Sequence, residues 1–324
     1  MAGERVAVID LGSNSFRMVV FHVDAGGWER EQELSSAVRI GEGLLASGRL
    51  GEPGMQRGLR ALGEFAAACE HADLGGGQID AVATSAIRDA ANGTDFLDVV
   101  REQTGFDVRV LSREQEARYG YLAAVHSTTL TDGCVLDLGG GSLQLVHVAG
   151  RIARESGSWR LGAVRMTERF LSDGGPTQPA KRGQCKALQA HVARKLERGA
   201  PWLAGSGERL VGLGGTVRNL ASAAERAAGL PAEEVQGFVL TDAALDELIE
   251  RLAALPPSER GSVPGIKPAR ADIVLAGALA IQQVMRQGEF AALEVTGAGL
   301  REGILFERRL LTSQTPALQA ARAA

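Results

Sequence analysis

The chain carries one long internal repeat, and that repeat restricts the folds open to it. Residues 6–23 read VAVIDLGSNSFRMVVFHV and residues 133–148 read GCVLDLGGGSLQLVHV. The same displacement takes Asp10 to Asp137, Gly12 to Gly139, Ser15 to Ser142 and Val19 to Val146. Each copy is an apolar run, a Gly/Ser turn and a second apolar run, which is the pattern of a β-hairpin. Solenoid repeats recur every ~20–50 residues, so a spacing this long means two domain-sized halves of similar fold. The length of 324 residues agrees, at about 100–200 residues per domain.

Between and after the hairpins, strands alternate with helices. Helical spacing runs over Glu52–His71, ending at Gly75-Gly76-Gly77, and over Thr94–Thr104. A third helix is read at Arg113–Val125, with Ser112 as N-cap and Gln115 completing a capping box. Later helices are read at Thr177–Leu203, Thr241–Leu255, Ala269–Gln287 and the end of the chain. Short apolar strands are read at Asp80–Thr84, Asp107–Leu111, Arg209–Leu213 and Leu293–Thr296. The four prolines within 256–268 suggest a surface excursion. Alternation of this kind in both halves makes the expected class a two-domain α/β protein.

Composition excludes several classes. A 45% hydrophobic fraction with 23% charged residues is that of a globular chain, not a disordered one. The net charge of −4 gives no support for broad binding to nucleic acid or to an anionic membrane, though a small basic site is compatible with it. Only four of the 35 basic residues are lysines; Arg offers the planar donor fork that suits phosphate, although a GC-rich coding bias accounts for most of them. Cys69, Cys134 and Cys185 form no CxxC and suit a reducing, cytoplasmic location. No apolar stretch reaches the ~18 residues a membrane helix needs, and residues 1–5 lead straight into a strand-like run with no signal peptide.

Three Gly-rich turns carry the chemistry. In Asp10–Ser15, small residues let several N–H groups converge on one point, a geometry that binds phosphate oxygens. Ser13, Asn14 and Ser15 add side-chain donors. Asp10 precedes the turn as a carboxylate suited to Mg²⁺. Asp137, Gly139, Gly140, Gly141 and Ser142 repeat the arrangement. Gly212–Thr216 forms a third loop, with Gly214, Gly215 and Thr216 at its tip and Arg218 and Asn219 just beyond. One such loop is equally a tight turn without a ligand. Two equivalent Asp-led loops in duplicated halves would face each other across a cleft, and the three together point to a phosphate site. No GxxxxGK[ST] occurs, and the turns do not make a convincing dinucleotide fingerprint.

The segments DLGSNSFR at 10–17, ATSAIRDAAN at 83–92, EARYGY at 116–121, DLGGGS at 137–142, LGAVRMTERF at 161–170, GLGGTVRNLA at 212–221 and GLREGI at 299–304 resemble those of the exopolyphosphatase/guanosine pentaphosphate phosphohydrolase (Ppx/GppA) family. That family belongs to the acetate kinase–sugar kinase–Hsp70–actin superfamily. The resemblance runs to about residue 310 and matches the short, two-domain form. It implies two actin-like (RNase H-like) domains around an inter-domain cleft, over residues 1–125 and 126–303, with a final helix at about 304–324 packing back on the first. It further implies Mg²⁺-dependent release of terminal phosphate from inorganic polyphosphate or pppGpp, with Mn²⁺ as a substitute and a homodimer as a common assembly.

By the same resemblance, Glu116 is the catalytic base, directly before Ala117-Arg118; the plainer alternative is an exposed helix carboxylate. Arg88 contacts phosphate and offsets charge in the transition state; the alternative is a surface ion pair with Asp89 or with a Glu. Asp137 and its counterpart Asp10 are the metal-linked carboxylates; the alternative is a pair of turn aspartates bonding their own backbone. Arg17 lies on the inner strand of the first hairpin, near the cleft. Arg165, Glu168, Arg270, Arg301 and Glu302 match family positions and are assigned structural roles.

One position departs from the pattern. The family reads DxGGGSxE, whereas this chain has Gln144 in place of the Glu that helps hold metal and water. Gln retains an oxygen acceptor and loses the charge. Three consequences stay open: catalysis through Glu116 and Asp137 with altered metal preference, slow turnover, or a polyphosphate/(p)ppGpp sensor that binds without hydrolysis.

Overall fold

The computed structural model describes residues 3–24, 27–230 and 235–311. Its strands are β1 (Glu4–Leu11), β2 (Phe16–Asp24), β3 (Gly27–Ser36), β4 (Ile79–Ala83), β5 (Val108–Val110), β6 (Gly133–Leu138), β7 (Leu143–Ala149), β8 (Ile152–Trp159), β9 (Leu210–Leu213), β10 (Val239–Thr241) and β11 (Ala292–Val295). They form two sheets, ordered β3-β2-β1-β4-β5 and β10-β11-β9-β6-β7-β8. In each sheet an antiparallel hairpin is joined by parallel strands on one side, β4 against β1 and β9 against β6. The repeat is therefore a repeat of topology. Asp10 pairs with Arg17 in the first hairpin, and Asp137 pairs with Gln144 in the second.

Alternation along β1 explains why the run is apolar throughout. Ala7, Ile9 and Leu11 face one way, with Leu62, Phe65 and Phe96 of the helices Glu52–His71 and Gly93–Thr104. Val6 and Val8 face the other way, with Tyr119, Leu122, Ile304 and Leu305. A strand covered on both faces has no polar face to show. The helix Arg113–Ser127 carries Tyr119 and Leu122 toward the first sheet and Ala117, Ala124 and Val125 toward Val135 and Val146 of the second. It lies between the sheets, so it is apolar on more than one side and shows no amphipathic stripe. Each large side chain buried there contributes about 1.5–3 kcal/mol. Ser112 accepts a hydrogen bond from the Gln115 N–H at 3.2 Å, and the Gln115 side chain accepts from the Ser112 N–H at 2.8 Å, which fixes the start of this helix.

Several boundaries differ from the sequence expectation. The helix read at 177–203 is confined to Arg182–Gly199. Pro179 and Pro201 disfavour helical backbone in the residues before them, and the Gln184 side chain anchors the new start by accepting from the Lys181 N–H at 2.8 Å. The helix read from 269 begins at Val274, after a 3₁₀ turn over Pro268–Arg270. The Pro-rich segment 256–268 is not a plain surface excursion: Arg260, Val263 and Ile266 are buried, and Arg260 donates to the Leu252 carbonyl at 2.9 Å. Strands β3, β8 and β10 and the helix Ala163–Phe170 join the expected elements. Beyond residue 311 the expected C-terminal helix lies outside the described residues. Leu300–Leu305 is α-helical and packs against β1. Among the described residues, no helix is long and apolar enough to cross a membrane.

Candidate active site

The three loops converge. Gly140 lies against Ser13 and Asn14, where an added Cβ would stand 3.1 Å from the Ser13 Cβ and 3.2 Å from the Asn14 nitrogen. At Gly141 a Cβ would stand 2.4 Å from the Ser85 Oγ and 2.7 Å from the Ser13 Oγ, so a side chain there would have to displace both hydroxyls and break their hydrogen bond. Ser13 and Ser85 share a buried hydrogen bond of 3.0 Å. The third loop meets the second at Gly214, whose φ of +100° and closeness to the Leu138 carbonyl (2.5 Å from a Cβ) both call for glycine.

Together the loops enclose a cavity of about 120 Å³ lined by Asp10, Ser13, Asn14, Ser15, Arg17, Glu116, Asp137, Gly139, Gly140, Ser142, Gln144, Gly214 and Gly215. Three sequence-selected residues stand off it. Gly141 is in the contact between the loops, Thr216 is buried behind Gly215, and Arg88 reaches the site only through Glu116. Three arginines not chosen as site residues also line it: Arg218, Arg270 and Arg301. Arg270 and Arg301, read from the sequence as structural, extend toward the cleft, and the Arg270 guanidinium lies over Gly215. Their signal was the excess of arginines, discounted as coding bias. The structural reading holds for Arg165, which pairs with Asp89 at 3.0 Å, for Glu168, which accepts from the Gly43 N–H at 2.7 Å, and for Glu302, which is buried and accepts from Arg30 and from the Gly299 N–H.

Glu116 is buried in the first turn of its helix, and every donor it meets was on the sequence shortlist. Arg88 pairs with Oε1 and also donates to the Leu111 carbonyl at 2.7 Å. Ser142 Oγ donates to Oε2 at 3.2 Å, and Gln144 Nε2 donates to the same oxygen at 2.8 Å. Burial pushes the Glu116 carboxyl up to about 7. The Arg88 charge and the hydrogen bonds from Arg88 and Ser142 oppose that rise, and the Asp137 charge adds to it. Arg88 is ion-paired with Glu116, neither lining the cavity nor pairing with Asp89. Gln144 is engaged with Glu116, Ser142 and Ser158.

Asp10 and Asp137 stand at equivalent ends of β1 and β6 and both line the cavity. Burial raises both carboxyls, Asp137 to about 6, and the charge of Asp10 adds to that rise. Asp10 Oδ1 is buried without a hydrogen-bond partner. Two hard oxygen donors facing each other, one unsatisfied, are chemically suited to a small divalent cation. Burial also lowers the guanidiniums of Arg218, to about 9, and of Arg270, to about 10, with Arg17 adding to both through its like charge. The Arg17 side chain makes no hydrogen bond or ion pair with any described residue. Cations crowded to the point of lowering one another are poised for a polyanion.

Two sheets of matching order, with glycine loops meeting between them, define the actin-like fold. The sequence model of the Ppx/GppA phosphatase family matches residues 19–312, and the chain belongs to that family. Exopolyphosphatase 1 of Mycobacterium tuberculosis is 30% identical over 311 residues, covering 94% of this chain and 88% of that one. The crystal structure of the Aquifex aeolicus Ppx/GppA family member matches with a TM-score of 0.77 at 30% identity, covering 96% of this chain and 99% of that one. An exopolyphosphatase from Cytophaga hutchinsonii shares the fold, with a TM-score of 0.85 at 23% identity over 94% of this chain and 97% of that one.

Proposed function

We propose that this protein is an exopolyphosphatase that removes the terminal phosphate of inorganic polyphosphate, with Glu116 as general base. The observation that carries the reading is Glu116 itself. It is a buried carboxylate raised to about 7, facing paired glycine loops in a cavity rich in arginine. A base is most effective when its pKa lies near the working pH.

Glu116 takes a proton from water as the water oxygen bonds to the terminal phosphorus. The bridging P–O bond breaks, and the electron pair leaves on the shortened chain, giving orthophosphate. Arg88, Ser142 and Gln144 hold the base, and each can follow its change of charge. The N–H groups of the Ser13–Ser15 and Gly139–Ser142 loops would hold the phosphoryl oxygens, a preorganised form of charge stabilisation. Asp10 and Asp137 are the residues that would hold Mg²⁺ or Mn²⁺. When bound, such an ion neutralises phosphate charge. Gln144 supports turnover on this reading, because its amide gives the base a hydrogen-bond donor that an ionised Glu would lack.

The test is orthophosphate release from short and long polyphosphate and from pppGpp, with Mg²⁺ or Mn²⁺, for the wild type and Glu116→Gln. Release from polyphosphate that drops at least about 100-fold in Glu116→Gln is the expected result. Full activity in Glu116→Gln would remove Glu116 from the mechanism. Wild-type binding of polyphosphate or (p)ppGpp without release would make the protein a sensor.

A further inference from the structure

Each of the two hairpin loops is backed by a second segment that holds its carbonyls. The N–H groups of Arg39 and Gly41 donate to the carbonyls of Asn14 and Ser13, both at 2.9 Å. In the second copy the Ala163 N–H donates to the Gly139 carbonyl at 3.0 Å, the Val164 N–H to the Gly140 carbonyl at 2.8 Å, and Arg165 Nε to the Gly141 carbonyl at 3.2 Å. A trans peptide points its C=O and its N–H in opposite directions. Carbonyls drawn back in this way turn the N–H groups of the following residues away from the backing segments. Asn14, Ser15, Gly140 and Ser142 are among those residues, and all four line the inner cavity between the loops. The Asn14 and Ser15 N–H groups have no hydrogen-bond partner among the described residues.

The two backing segments are held differently. Residues 163–165 open a helix whose Met166 is part of the core of the second sheet. Residues 37–43 follow β3 and have no regular structure of their own. Val38 and Ile40 are buried in the core of the first sheet, which turns Arg39 between them outward. Its guanidinium crosses to the other half of the molecule and grips Asp272 with both terminal nitrogens, at 2.7 and 3.1 Å. Arg39 does this at a φ of +51°, a left-handed conformation that few side chains adopt and that its contacts must sustain. Further along, the Gly43 N–H donates to Glu168 Oε1 at 2.7 Å. Glu168 lies on the helix that backs the second loop, so this hydrogen bond joins the two backing segments.

We propose that residues 38–43 are a strap that aims the first phosphate loop, with Arg39 and Glu168 as positioning residues that fix it against the second half of the molecule. This rests on the phosphate-holding role given to the loops in the reading above. Neither side chain lines the inner cavity, so each acts through the backbone it holds. Arg39 ties its own N–H, and through it the Asn14 carbonyl, to Asp272. Glu168 sets the far end of the strap. Together they keep the Asn14 and Ser15 N–H groups directed at phosphoryl oxygens before substrate arrives, which is preorganisation supplied from outside the site.

The experiment measures kcat and KM for tripolyphosphate in the wild type, Arg39→Ala, Glu168→Ala and Glu168→Gln. A clamp that served folding alone would lower the active fraction, and with it kcat, and leave KM where it was. The expected KM rises roughly 10-fold in each alanine variant, the cost of misdirecting one hydrogen bond to a charged group. It returns most of the way in Glu168→Gln, whose amide oxygen still accepts from the Gly43 N–H. If Arg39→Ala does not fold, Arg39→Lys replaces it, since Lys keeps the charge and loses the two-pronged grip. An unchanged KM in either residue's variant overturns the role of that residue, and an unchanged KM in both overturns the strap and leaves the phosphatase standing. A KM in Glu168→Gln as high as in Glu168→Ala overturns the assignment to the Gly43 hydrogen bond. If the wild type hydrolyses no tripolyphosphate, the phosphatase reading fails separately, and calorimetric titration with tripolyphosphate tests the strap. Weaker binding at unchanged stoichiometry in the alanine variants supports it. Equal binding, or no binding to the wild type, overturns it.

Discussion

Replacing Gln144 with Met removes the strongest neutral donor to Glu116 and keeps the side-chain volume. The bond it removes is 2.8 Å long, buried, and made to a carboxylate. Hydrogen bonds to charged groups are worth about 1.5–3 kcal/mol. At about 1.36 kcal/mol per pKa unit, the Glu116 carboxyl should rise by about 1–2 units. It would rise from its value of about 7. The base is the ionised form, so activity rises with pH through this pKa. At pH 7 the ionised fraction should fall from about one half to between roughly a tenth and a hundredth, a loss of about 5- to 50-fold in kcat/KM. The assay is the pH profile of orthophosphate release from about pH 5 to 10. The acid limb should move to higher pH, with most activity recovered on the alkaline side. A limb left near pH 7 beside a uniform drop would refute the reasoning, since Gln144 would then act other than through the basicity of Glu116.

Four further outcomes are expected. Glu116 is raised when folded, so the folded chain binds the extra proton between the unfolded value and about 7, and stability declines as pH rises through that window; the maximum loss is about 3 kcal/mol, and thermal melting should show the decline in the wild type and not in Glu116→Gln. Asp89 is nearly buried among Arg113, Arg160 and Arg165, so Asp89→Asn should cost about 2 kcal/mol in chemical denaturation, while Asp89→Glu recovers part of it. Gly141→Ala should break the Ser13–Ser85 hydrogen bond and lower kcat/KM by roughly 10-fold, because its Cβ would stand 2.4 Å from the Ser85 Oγ. Asp10→Asn and Asp137→Asn should each weaken the activation of phosphate release by Mg²⁺, read as a higher half-saturating concentration of the ion.

The parts of this fold that follow a period were legible in the sequence. The repeat announced two sheets with equivalent hairpins, and the capping box at Ser112 placed the helix of Glu116 to within two residues at its far end. Strands β3 and β8 were not legible, because they carry charged residues on exposed edges and show no apolar alternation. The Pro-rich segment misled in the opposite direction. Its buried Arg260 is satisfied by the carbonyls of Leu252 and Asp272, partners that only the folded chain supplies. For the site, the loops were readable from local composition, and Glu116 only through the family resemblance. The arginines at 218, 270 and 301 were not, since each reaches the cavity from a separate element and no spacing marks it.

The meeting of the two hairpin loops sets a direction. Ser13 against Gly140, and Gly141 against Ser85, seal the inner cavity on one side. Asp89 holds that side shut through Arg160 and Arg165. On that side the space around Glu116 is closed by contact between the loops. If polyphosphate is the substrate, a chain that enters from the open side would stop when its last unit touches the loops, with its interior linkages short of Glu116. On the polyphosphate reading, attack at the last unit would then follow from which side of the site is closed, and an opening made between the loops would let interior linkages reach Glu116.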